Sequence, residues 1–181
     1  MDPLSQVSSL YGVSMLQAAQ QPLESNVCLA LIRESGGARE QQLINVAVAS
    51  FVNLYGTPEL AAAQASRDAG NAPNAVLAAA LGIIGPRRQE RARSAVSILI
   101  DCLADARLTD PFDRNFKILG IDQARVKELL TEQLDRRAEE LMVGLEERGV
   151  MPVAVQWLKN LGHPSYDAVL AAITTSLAWG R

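Results

Sequence analysis

The stretch Gly85-Pro86-Arg87-Arg88-Gln89-Glu90-Arg91-Ala92-Arg93 sets four arginines directly behind a Gly-Pro pair. Proline favours the first position of a helix, so a helix start is predicted at Pro86. Such a start presents unbonded backbone N–H groups and a partial positive charge, which attract phosphate or carboxylate. Arginine adds a planar fork of donors for the same anions. Arg87, Arg88 and Arg91 are therefore the candidate anion-binding residues. A solvated, charged helix face without a ligand is the competing reading. A second constellation lies near the C-terminus. There Gly162-His163-Pro164-Ser165 turns into a helix whose first turn holds Asp167. An acid at that place is stabilised by the helix start, and N-terminal capping alone would explain it. As a catalytic group, Asp167 would act as a base beside a ligand, provided other groups line up with it. His163 is the only histidine, the residue type most used as a general acid or base, and is the second catalytic candidate.

Other chemistries find little support in the chain. A Ser–His–Asp triad could use only His163. Cys-x-x-Cys and His-Glu-x-x-His are missing, so no metal site is expected. The glycine-rich nucleotide loops are missing too. Asp135, Glu139, Glu140, Glu146 and Glu147 lie among Arg136, Arg137 and Arg148, with Glu132 spaced to pair with Arg136, and read as a solvated helix face. The net charge of −3 gives no reason to expect nucleic acid or an anionic membrane as partner. No apolar run approaches the about 18 residues of a membrane span. Cys28 and Cys102 fall in apolar helical runs and read as buried thiols, which fits a reducing, cytoplasmic setting. The first residues lack the basic start and apolar run of a signal peptide.

These residues must be positioned by helices. The chain has 181 residues, of which 49% are hydrophobic and only 4% aromatic. Alanine and leucine abound, so an all-α, single helical domain over 1–181 is expected. Helices are predicted over 2–20, 22–35, 38–55, 58–68, 73–84, 86–106, 122–148, 152–161 and 166–179. The third buries Leu43, Val46, Val48, Phe51 and Leu54. Thr57-Pro58-Glu59 supplies a cap, a first-position proline and a first-turn acid for the fourth. The helix over 122–148 is the most regular, with Leu129, Leu130, Leu134, Leu141 and Leu145 at helical intervals. Residues 75–84 and 168–177 carry almost no charge. Helices apolar all round are buried, either at the centre of the fold or in a subunit interface, and a homodimer is expected.

The segment Asn74-Ala75-Val76-Leu77-Ala78-Ala79-Ala80-Leu81-Gly82-Ile83-Ile84-Gly85-Pro86 resembles the helix leading to a catalytic-histidine loop in citrate synthases and citryl-CoA lyases. In that family an alanine-rich helix runs into a Gly-Pro-x-His-Gly-Gly-like loop and then a long helix. The segment Pro164-Ser165-Tyr166-Asp167 looks like the family's Pro-Asn-x-Asp, which carries its catalytic aspartate. The resemblance spans roughly residues 72–181. It implies a shortened member with buried central helices, Asp167 as the base, and an acyl-CoA or polycarboxylate as ligand. No cofactor is implied beyond CoA or an acyl-CoA held as that ligand. A place in a larger enzyme complex is compatible with it. The departures carry weight. Arg88 stands where the family has a histidine, and Gln89-Glu90 replace its paired glycines. The family's earlier histidine has no counterpart before residue 74. Gly120-Ile121-Asp122-Gln123-Ala124-Arg125 is only faintly similar to its Gly-His…Asp-Pro-Arg stretch. Lost or reduced catalysis is therefore expected, the alternative being a helical scaffold or accessory subunit that acts through protein contacts.

Overall fold

The computed structural model describes residues 9–51, 56–83, 85–119 and 123–179; the side chains of Pro86, Arg87, Arg88 and Gln123 lie outside that description. Strands β1 (Ser9–Leu10) and β2 (Val13–Ser14) form an antiparallel hairpin. Its turn is Tyr11-Gly12, both at positive φ (48° and 85°), the geometry of a tight hairpin turn. The helix expected over 2–20 is thereby corrected over its described part: from residue 9 on, only α1 (Met15–Ala18) is helical, behind a reciprocal Ser14–Gln17 capping box, and residues 1–8 lie outside the described residues. Then come α2 (Leu23–Ile32), α3 (Ala38–Ser50), α4 (Pro58–Asp68), α5 (Pro73–Gly82) and α6 (Pro86–Asp105). Thr57 caps α4 as its sequence predicts, Oγ1 accepting from the Leu60 N–H at 3.3 Å. Along α3, Leu43, Ile44, Val46 and Ala47 are buried, Val48 is half-buried, and Phe51 beyond its end is exposed. Leu54 lies outside the described residues.

The single helix expected over 122–148 is broken in two. A short α7 (Gln123–Val126) runs into one 3₁₀ turn (Lys127–Leu129), and residues 130–135 are irregular before α8 (Arg136–Glu147). The regular leucine spacing misled because Leu130 leaves the helix to form a β-bridge with Pro164, and Asp135 starts a new helix as its N-cap. Leu129, Leu141 and Leu145 are buried while Leu134 is exposed. Next come α9 (Val153–Leu161) and α10 (Tyr166–Ala178).

The core centres on α10. It packs on α6, α9, α8, α2 and α3, and buries Ala168, Val169, Ala171, Ala172, Ile173 and Leu177 around its circumference. Its buried Ser176 hydroxyl donates to the Ala172 carbonyl at 2.7 Å, while Thr174 is exposed. From α6, Leu99, Cys102 and Leu103 complete the cluster. Cys28 and Cys102 are buried, unbridged thiols. By contrast α5, equally apolar, does not enter this core. It packs on α4, and neither helix buries a residue. Leu77 is 61% and Leu81 57% exposed. Among the described residues, no helix is long and apolar enough to cross a membrane.

A candidate ligand cleft at two helix starts

The β-bridge that interrupts the expected long helix also builds the site. The Thr131 N–H donates to the His163 carbonyl at 2.7 Å, and the Ser165 N–H to the Leu129 carbonyl at 3.0 Å. Ser165 then caps α10, its Oγ accepting from the Ala168 N–H at 3.1 Å. Asp135 caps α8: Oδ1 accepts from the N–H groups of Arg137 and Ala138 at 3.1 and 3.3 Å. Its Oδ2 accepts from the Tyr166 N–H at 2.8 Å. One carboxylate thus serves the starts of two helices, where both dipoles favour its charge.

Tyr166 is the floor beneath this junction, only 4% exposed. Its hydroxyl shares a 2.7 Å hydrogen bond with Ser50, and Phe51 meets its ring edge-on at 6.2 Å. The Arg137 guanidinium lies over the ring, 3.9 Å from its centroid. Nε and Nη2 of Arg137 are buried and have no hydrogen-bond partner. Leaving such donors unmet costs about 1–3 kcal/mol each. The ring returns about 0.5–2 kcal/mol as cation–π attraction. The ring therefore holds the guanidinium in place while its donors stay unmet.

The α6 start closes the other side. Gly85 is its N-cap, so Pro86 takes the first helical position as predicted. Arg91, in the second turn, is exposed. Between α6 and the α10 start lies a cleft of two lobes, about 550 and 690 Å³, whose shared walls include Arg91, Thr131, Ser165 and Asp167. The larger lobe adds Gly85, Glu59, Asp135 and Arg137. Cations and carboxylates thus face one space, with Asp135 committed to three backbone N–H groups. Such an arrangement can hold an anionic group at a guanidinium with a carboxylate beside it.

Of the sequence candidates, Arg91 and Asp167 meet in this cleft. The side chains of Arg87 and Arg88 lie outside the described residues, although the helix they open starts where expected. His163 is exposed, offers only its carbonyl to the bridge, and is not a wall of the cleft. Sequence reasoning missed Arg137, placing it and Asp135 on a solvated face. The signal that could have found them is Asp135 itself, a strong N-cap residue two positions ahead of Arg137. Among the described residues, no group of three or more His, Cys, Asp or Glu side chains is placed to hold a metal. No protein-family model, curated protein or solved structure matches this chain.

Proposed function

We propose that this protein binds an acyl-CoA or a polycarboxylate in the cleft between α6 and α10, with citrate synthase-like catalysis lost or much reduced. The observation that carries the reading is the Arg137 side chain, which lines the same cleft as Arg91 and Asp167 and is stacked on Tyr166 with Nε and Nη2 unmet and closed off from solvent, so that a ligand reaches them as the guanidinium turns toward the cleft. A ligand carboxylate is the complement of such a fork, taking two parallel N–H bonds. In this reading Asp167, a wall of both lobes of the cleft, would be the base toward a proton on the ligand. Arginine stays protonated and cannot shuttle that proton onward. His163 lies outside the cleft walls, so the acid–base set is incomplete.

Thermal-shift measurements with CoA, acetyl-CoA, citrate and oxaloacetate test the reading. A ligand at about 100 times its Kd stabilises by about 2.7 kcal/mol. At least one of the four is expected to do so. Turnover of acetyl-CoA with oxaloacetate is expected well below about 1 s⁻¹, the lower end of ordinary enzymes. Silence from all four ligands would contradict the binding reading; faster turnover that vanished in Asp167→Asn would contradict the loss of catalysis.

A second reading rests on α5. Its exposed Leu77 and Leu81, with Ile83 just past its end, leave an apolar face uncovered. A homodimer, or a scaffold role within a larger complex, would cover it.

A further inference from the structure

A further cavity, about 740 Å³, lies away from that cleft, between the end of α8, the helix α9 and the irregular segment 112–119. It is built rather than incidental. The Val153 N–H donates to the Pro111 carbonyl at 2.8 Å, and Nη2 of Arg114 donates to the Gly149 carbonyl at 2.8 Å. These two bonds hold segment 111–114 against the α8–α9 turn and fix the two walls at their spacing. Gly149, at φ +67°, provides the carbonyl; a Cβ there would come within 3.2 Å of Nη2 of Arg114.

The cavity is apolar on its inner side and charged at its rim. Phe116, Met151 and Trp157 form the inner wall. At the rim, the side chains of Lys117 and Arg148 make no hydrogen bond or ion pair among the described residues, and Arg114 spends its charge on a neutral carbonyl. The acids nearby offset this only in part. Glu146 is paired with Lys159 at 2.7 Å, whereas Asp113, which accepts only from the neutral Asn115 N–H at 2.9 Å, and Glu147 keep their charges against the three cations Arg114, Lys117 and Arg148. A space of this size with apolar walls and a few polar groups matches the general build of small-molecule sites, about 300–1,000 Å³.

We propose that this cavity is a second ligand site, for an amphiphilic carboxylate whose apolar body lies on Phe116, Met151 and Trp157 and whose head group meets Lys117 and Arg148. Its ligand is distinct from that of the α6–α10 cleft, and the two proposals fail independently.

Calorimetric titration of the full chain with decanoate and with decan-1-ol, both kept monomeric, tests it. Decanoate is expected to bind saturably and at least about tenfold tighter than the alcohol, a difference of about 1.4 kcal/mol. Lys117→Gln with Arg148→Gln, both exposed positions, is expected to bring decanoate down to the level of the alcohol. Gln156→Trp, which fills the cavity from an exposed position on α9, is expected to weaken both by at least about tenfold. Circular dichroism confirms that each variant is folded, and an unchanged response to citrate and CoA separates this site from the cleft. Absence of saturable decanoate binding, equal affinity for acid and alcohol, or full binding by Gln156→Trp would each overturn the proposal.

Discussion

Asp135 ties two helix starts together through three backbone N–H groups. It caps α8 and holds the first N–H of α10, so its removal strands donors at two helix starts. Loss of an N-cap costs about 0.5–2 kcal/mol and a charged hydrogen bond about 1.5–3 kcal/mol. Asp135→Ala is expected to lower the free energy of unfolding by about 2–4 kcal/mol in urea titration. Asp135→Ser, which retains a cap but not the second bond, should recover only part of it. A second expectation concerns Cys102, where burial is the main cause that pushes the thiol up from its ordinary range. The neutral thiol is a poor nucleophile. Native protein at pH 8 is therefore expected to leave Cys102 unmodified by a disulfide reagent, while denatured protein reacts fully. The sign follows from the raised value: its contribution to stability is complete below the ordinary thiol range and declines as pH rises through it. Rapid native labelling at Cys102 would contradict the buried placement.

At the scale of elements, helix ends separate what was legible from what was not. Gly149 ends α8 at φ 67°, with the Val150 N–H on the Leu145 carbonyl at 3.0 Å and the Gly149 N–H on the Glu146 carbonyl at 2.9 Å. The same pair of bonds ends α6, from Leu108 to Leu103 at 3.0 Å and from Arg107 to Ala104 at 2.9 Å, but with Arg107 at φ 57° in the glycine position. A left-handed residue other than glycine carries about 1–2 kcal/mol of strain. Arg107→Gly is expected to be neutral or to stabilise by up to about 1 kcal/mol, because the extra freedom of the unfolded glycine offsets part of the relief. A loss of more than that in urea titration would mean that the arginine side chain contributes contacts of its own. Proline and glycine signals marked the starts and stops of α4, α6, α9 and α10 within a residue or two, because those signals are local. The break at 130–135 was not legible. It depends on a strand-like pairing with Pro164, 34 residues further on (164 − 130), which helical periodicity cannot register. The cleft was legible by halves for the same reason. Arg91 and Asp167 stand at local helix-start signals, whereas Arg137 matters only because Tyr166 is folded beneath it.

At the scale of the molecule, two equally apolar helices have opposite fates. Composition alone treats α5 and α10 alike, and only the packing distinguishes the central helix from the exposed one. Fully burying a leucine is worth about 1.5–3 kcal/mol, which Leu77 and Leu81 forgo while exposed. Sedimentation at micromolar concentration is expected to show a dimer, and Leu77→Glu with Leu81→Glu is expected to yield a folded monomer. A monomeric native protein would leave α5 without the partner proposed for it. The central claim concerns the cleft, and Arg137 tests it most directly. A half-buried guanidinium whose Nε and Nη2 are unmet adds little to folding, so Arg137→Met should leave unfolding free energy within about 1 kcal/mol of the native protein or raise it. Its loss should nevertheless remove a charged hydrogen bond to ligand, worth about 1.5–3 kcal/mol, or roughly 10- to 150-fold in affinity. The decisive measurement is calorimetric titration of the native protein and Arg137→Met with citrate and with CoA. The account predicts binding of at least one by the native protein and a loss of roughly tenfold or more in the folded variant; equal affinity in the two proteins, or no binding by either, would contradict it.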